Sequence, residues 1–157
     1  MKKQTLLFLI PITALLSILI PAVALSSGVP GSVVANIKAI AAAEYPDSYS
    51  MQKFQIKNEI EAYRAVKNFK DSTVPGNIVT KIINQAAAEY PDSYSMQKFQ
   101  IKNEIESYKE VKEFIATGVP WDVVTKIKDQ AAAEYPDSYS MQKFQIKNEI
   151  KAYKEIQ

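Results

Sequence analysis

Apolar residues recur at helical spacing through most of the chain. Val33, Val34, Ile37, Ala41 and Tyr45 fall three or four positions apart, and the alanine triplet at 41–43 adds strong helix propensity. Pro30 suits the first turn of such a helix, where a missing N–H costs nothing. Pro46 ends it by biasing Tyr45 away from helical geometry. The pattern predicts a helix of about 15 residues. Pro46-Asp47-Ser48 then makes a tight turn, with Asp47, Ser48 or Ser50 available to cap a second helix.

That second helix is predicted from about Ser50 to Phe69. At about 100° per residue, Tyr49, Ile56, Ile60 and Tyr63 lie within about 40° of one direction, with Val66 at the margin. A second stripe, Met51, Phe54, Ala62, Ala65 and Phe69, falls nearly opposite. Lys53, Lys57, Glu61, Arg64 and Asn68 form a polar strip between the two. A lone helical hairpin needs one apolar face, so two faces predict packing against a neighbouring unit as well.

Neighbours are written into the chain. The string AAAEYPDSYSMQKFQIKNEI stands unchanged at 41–60, 86–105 and 131–150, an offset of 45 residues each time. Val29-Pro30-Gly31, Val74-Pro75-Gly76 and Val119-Pro120-Trp121 open the three units, 29–73, 74–118 and 119–157. A period of this size marks stacked supersecondary units. The expected fold is all-α, three tandem αα-hairpins stacked as a short solenoid over 25–157. Differences between copies agree with stacking in part: Ile83 of the middle unit stands where the outer units have Lys38 and Lys128. Ile40, replaced by Gln85 and Gln130, runs the other way.

Ahead of the repeats, Lys2 and Lys3 precede an apolar run from Leu6 to Leu25, ending on the small residues of Ala22-Val23-Ala24. This is the pattern of a secretory signal peptide over 1–24, with an uncleaved membrane anchor as the competing reading. The expected location is therefore secreted, periplasmic or in the cell envelope. Loss of 1–24 would take two lysines and leave 17 basic residues against the 17 acidic ones, a neutral domain. Neutrality argues against a nucleic-acid partner and against an anionic-lipid patch. Membrane association is expected only if the signal stays attached.

Chemistry-bearing residues are few. With no Cys and no His, thiol catalysis, disulfides, lipidated cysteine and the commonest general base are absent. Glu44 and Asp47 make a carboxylate pair in each unit, read as a solvated helix end and a cap rather than an acid–base or cation site. No catalytic residue, metal or cofactor is implied, and an enzyme is not expected. The turn tyrosines, Tyr45 with Tyr49, Tyr90 with Tyr94 and Tyr135 with Tyr139, are candidate ligand contacts: rings with polar tips suit a wet peptide or sugar surface. Trp121 is a further candidate, against the alternative that it covers the last junction. Gln52 and Glu59 are expected to satisfy tyrosine hydroxyls or the last carbonyls of the first helix.

The stretch Tyr45-Pro46-Asp47-Ser48-Tyr49-Ser50-Met51-Gln52 resembles a helical motif of exported bacterial repeat proteins of unassigned role, although Ser48 stands where that motif carries an acid. The resemblance covers some 25 residues per unit and implies helices and export, with no activity. The general plan also looks like phage-encoded host-surface exclusion proteins, which carry a lipidated cysteine that this chain lacks. The reading is a non-enzymatic, exported binding protein for a protein, peptide or wall component. The alternatives are a self-associating envelope protein or a phage-type exclusion protein.

Overall fold

The computed structural model describes residues 27–157, so the expected signal at 1–24 lies outside the described residues. Six α-helices follow one another: α1 (Gly31–Glu44), α2 (Tyr49–Lys67), α3 (Gly76–Glu89), α4 (Tyr94–Glu113), α5 (Trp121–Glu134) and α6 (Tyr139–Glu155). There is no strand among the described residues. The class is all-α.

Each short helix begins just after a proline and stops at the tyrosine before the next one. The Tyr45 N–H still reaches back to the Ala41 carbonyl at 3.0 Å. After the two-residue turn, Ser48, Ser93 and Ser138 cap the long helices, each hydroxyl accepting the N–H three residues on. Of the three capping candidates in the turn, the serine before the tyrosine does the work. Gln52, Gln97 and Gln142 donate to the carbonyls of Tyr45, Tyr90 and Tyr135 at 2.7 Å, closing the end of the short helix as expected.

Short helices pack on the long helix of their own unit, α1 on α2, α3 on α4 and α5 on α6. Long helices also pack on each other in succession, α2 on α4 and α4 on α6. Ala41, Ala86 and Ala131 are fully buried, and their lack of bulk lets each short helix approach its partner closely. The buried clusters run across unit boundaries. Val66 joins Val79, Ile82, Ala86, Ile101 and Ile105 of the second unit. Val111 joins Val124, Ile127, Ala131, Ile146 and Ile150 of the third.

The expected second apolar stripe is corrected here. Ala62 is buried and Phe69 packs against the cluster of the second unit, but Phe54, Phe99 and Phe144 are 60%, 66% and 60% exposed. The faces of a long helix explain this. Glu59, Ala62, Tyr63 and Val66 turn toward the following unit, in a sector beside the one facing the short helix rather than across from it. Phe54 lies about 140° around the helix from Glu59, in the solvent sector. Tyr49 was expected on the core face and is 84% exposed, because the described residues include no unit ahead of the first to cover it. Tyr94 and Tyr139, at the same position, are half-buried. Trp121 does not cover the last junction; it opens α5 at 71% exposure.

The copies' differences fit their surroundings. Ile83 packs against the cluster of the second unit, whereas Lys38 is exposed and Lys128 reaches the Lys112 carbonyl. Ser107 is fully buried, yet its hydroxyl has no partner, while the first unit carries Ala62 at the same place. Leaving a buried hydroxyl unpaired costs about 1 kcal/mol or more. Ser107→Ala is therefore expected to stabilise the protein by about 1 kcal/mol, read as a higher urea midpoint at unchanged m-value.

Candidate functional site: the seams between units

Two seams join the three units, and both are built on one contact. The Glu59 carboxylate of α2 sits at the N-terminus of α4. It accepts the N–H groups of Tyr94 at 2.6 Å and Ser95 at 3.2 Å, and the hydroxyls of Ser93 and Ser95. Glu104 of α4 does the same for α6, accepting from Tyr139 N–H at 2.6 Å, Ser140 N–H at 3.3 Å and the Ser138 and Ser140 hydroxyls. Both acids are buried, at 8% and 6% exposure. A helix N-terminus presents unpaired donors and a partial positive charge, so a carboxylate there satisfies the donors and is itself satisfied. Ser93 serves both neighbours, accepting from Met96 while donating to Glu59.

Around this clamp the tyrosines meet edge to face. Tyr63 and Tyr94 have centroids 5.0 Å apart at 87°, and Tyr108 and Tyr139 5.0 Å apart at 83°. Such pairs contribute about 0.5–1.5 kcal/mol beyond area burial. Lys67 and Lys112 lie over the inner rings at 5.8 Å. Burial, foremost, raises the pKa of the Tyr94 and Tyr139 hydroxyls above the ordinary phenol value.

The second seam carries more ionic contacts than the first. Glu110 accepts from Lys147 at 2.9 Å and Lys143 at 3.2 Å, which lowers its pKa. Lys81 pairs with Asp137 at 2.8 Å and donates to the Pro136 carbonyl. The first unit has Ala65 and Asn36 at the places of Glu110 and Lys81. Instead, Asp71 of the α2–α3 connection accepts from Lys109 Nζ at 2.8 Å and from the Thr73 N–H at 2.9 Å. Part of the polar strip thus belongs to the seams, where its lysines meet acids of the preceding unit.

Beside the tyrosine pairs run two equivalent grooves. One, of about 480 Å³, lies between Tyr63, Lys67 and Phe69 on one side and Ile83, Pro91 and Tyr94 on the other. Its counterpart, of about 400 Å³, uses Tyr108, Lys112, Lys128, Pro136 and Tyr139. A third cleft of about 630 Å³ places Tyr90 with Phe99, Gln100 and the Asp137–Ser140 turn. The candidate tyrosines are therefore divided. Tyr94 and Tyr139 form groove walls, Tyr90 lines the wider cleft, Tyr45 and Tyr135 sit half-buried at helix ends, and Tyr49 stands free. A neighbouring carboxylate raises the Tyr90 and Tyr135 hydroxyl pKa values, Glu89 and Glu134 respectively.

The glutamates of the carboxylate pairs, and the aspartate of the third unit, are engaged structurally. Glu44, Glu89 and Glu134 accept from Gln55, Gln100 and Gln145, while Asp137 holds Lys81. Among the described residues no group of three or more acids is placed to hold a metal ion, and no helix is long and apolar enough to cross a membrane. Sequence reasoning gave Glu59 the wrong partners: it meets the N-terminus of α4, not tyrosine hydroxyls or the last carbonyls of α1, because a carboxylate accepts and cannot donate to a carbonyl. A glutamate at the margin of an apolar face, 35 residues before a helix start, was the available signal for the clamp. No family model, curated protein or solved structure matches the chain.

Identical residues in unequal places make a controlled experiment. Glu104→Ala strands the first N–H groups of α6 and is expected to cost about 2–3 kcal/mol. Glu149, the same residue in the third unit, is exposed. Its change to alanine is expected to cost no more than about 0.5 kcal/mol in dilute solution. Chemical denaturation of the two variants side by side checks both.

Asp71 gives a pH signature. Lys109, then Thr73, lowers its pKa from 3.8 to about 2. A carboxyl depressed in the folded state contributes stability above its unfolded pKa and loses it as pH falls through the folded one. The stability difference between wild type and Asp71→Asn is thus expected to be constant above about pH 5, to shrink as pH falls through about 2 and to vanish only below it. Denaturant midpoints across that range measure it.

Proposed function

We propose that the protein is an exported, non-catalytic interaction protein whose three hairpins stack as a short solenoid and present a row of identical apolar contacts to a protein or peptide partner. Support for the stack comes from the succession of long-helix contacts and the repeated glutamate clamps. Support for export comes from the sequence of 1–24 alone.

One observation carries the binding reading. Phe54, Phe99 and Phe144 each stand at least 60% exposed, and Met51, Met96 and Met141 flank them at 41%, 40% and 39%. Exposed apolar groups scattered singly need no explanation, but the same aromatic and thioether pair at every repeat makes a surface of regular chemistry. Phe99 also opens onto the wide cleft with Tyr90, so a chain lying along the row meets a ring and a flexible thioether at each step and a phenol at the second. Contacts repeated on one scaffold act together, and modest single affinities combine.

Crosslinking in the native envelope, with mass-spectrometric identification of what is captured, tests this. Changing Phe54, Phe99 and Phe144 together to Ser is expected to leave the melting temperature within a few degrees and to abolish capture. Single changes are expected to weaken the captured complex by roughly tenfold each. Undiminished capture by the triple variant overturns the reading.

A further inference from the structure

Among the described residues, the outgoing face of the third unit and the incoming face of the first repeat the two halves of the seam seen twice inside the array, with Glu155 meeting only Lys151 of its own helix at 3.8 Å and Lys57 only Glu61 at 3.9 Å. At the outgoing end, Glu149, Tyr153, Glu155 and Lys126 occupy the places of Glu104, Tyr108, Glu110 and Lys81, the four residues that hold the second seam. Glu149 is exposed where its two counterparts are buried, and Ile156, in the place of Val66 and Val111, is 78% exposed. At the incoming end, Ser48, Tyr49, Ser50, Lys53, Lys57 and Asp47 repeat the residues that receive those contacts in the third unit. Tyr49 is the most exposed of the large apolar residues, at 84%. Among the described residues the N–H groups of Tyr49 and Ser50 have no acceptor.

We infer that a second copy of this chain docks head to tail on the first, with Glu149 of one molecule capping helix α2 of the next. Four recognition pairs of the second seam are regenerated in kind. A carboxylate meets a helix N-terminus, a tyrosine edge meets a tyrosine face, Glu155 meets Lys53 and Lys57, and Lys126 meets Asp47. The first seam is the poorer template, since Ala65 and Asn36 stand where the second seam and the outgoing end have an acid and a lysine. Lys38 points the same way: the incoming end carries the lysine of the third unit, Lys128, and not the Ile83 of the second. The contact is heterologous, with different surfaces on the two partners. Repetition therefore yields a succession of molecules continuing the 45-residue step, and not a two-fold pair.

This inference rests on the stacked-repeat reading above, but not on the phenylalanine row. The test uses residues 25–157, since all six helices and both buried clusters lie within the described 27–157. In sedimentation velocity at low salt, the weight-average mass is expected to rise at least about twofold between roughly 1 µM and roughly 500 µM. Glu149→Ala disables the outgoing end and Tyr49→Asp places a negative charge against the incoming carboxylates. Each variant alone is expected to weaken association at least about tenfold with an unchanged melt. Mixed in equal amounts, the two variants have one live pair of faces between them. They are expected to form a species of two chains and nothing larger.

A wild-type protein that stays a single chain across the range overturns the inference, as does association in either variant weakened less than about tenfold. If Glu104→Ala also proves harmless to stability, the stacking reading itself has failed. If Glu104→Ala is costly while the wild type stays single, only the docking of copies has.

Discussion

Everything in this structure depends on a carboxylate meeting the start of a helix. Apolar residues do cross the seams, Val66 into the cluster of the second unit and Val111 into that of the third, but such contacts are non-directional. Register between neighbouring units must come from something directional. Glu59 and Glu104 supply it, because a carboxylate that must accept two successive N–H groups and two hydroxyls has one geometry in which to do so. The tyrosine pairs and lysine–acid contacts then gather around a position already set.

The helices were legible in the sequence because their punctuation is chemical. Proline at each start, proline after each tyrosine and serine at each cap leave little freedom in placing the boundaries. The distribution of faces on the long helix was harder to read. A projection sorts residues by angle, but it does not say which of two apolar sectors meets a neighbour, and Phe54 and Ala62 fall on the same stripe with opposite fates. Size decides between them: where backbones come close, alanine or serine fits and phenylalanine does not.

The site residues show the same limit. Tyr49, Tyr94 and Tyr139 have identical flanking sequence, yet Tyr49 is free while the others form seam walls, since position in the array and not local sequence sets exposure. Glu59, Glu104 and Glu149 divide in the same way. A motif copied three times is therefore three chemical environments, and any role assigned to it holds unit by unit.

Both halves of the clamp, the Ser-Tyr-Ser turn and the glutamate, fall inside the 20 residues that are unchanged between copies. Unequal crossover within that block would delete or add a whole 45-residue step while leaving a glutamate and a Ser-Tyr-Ser turn in place for every junction. Variation in copy number is thus a route by which the reach of such an array changes while its clamps stay the same.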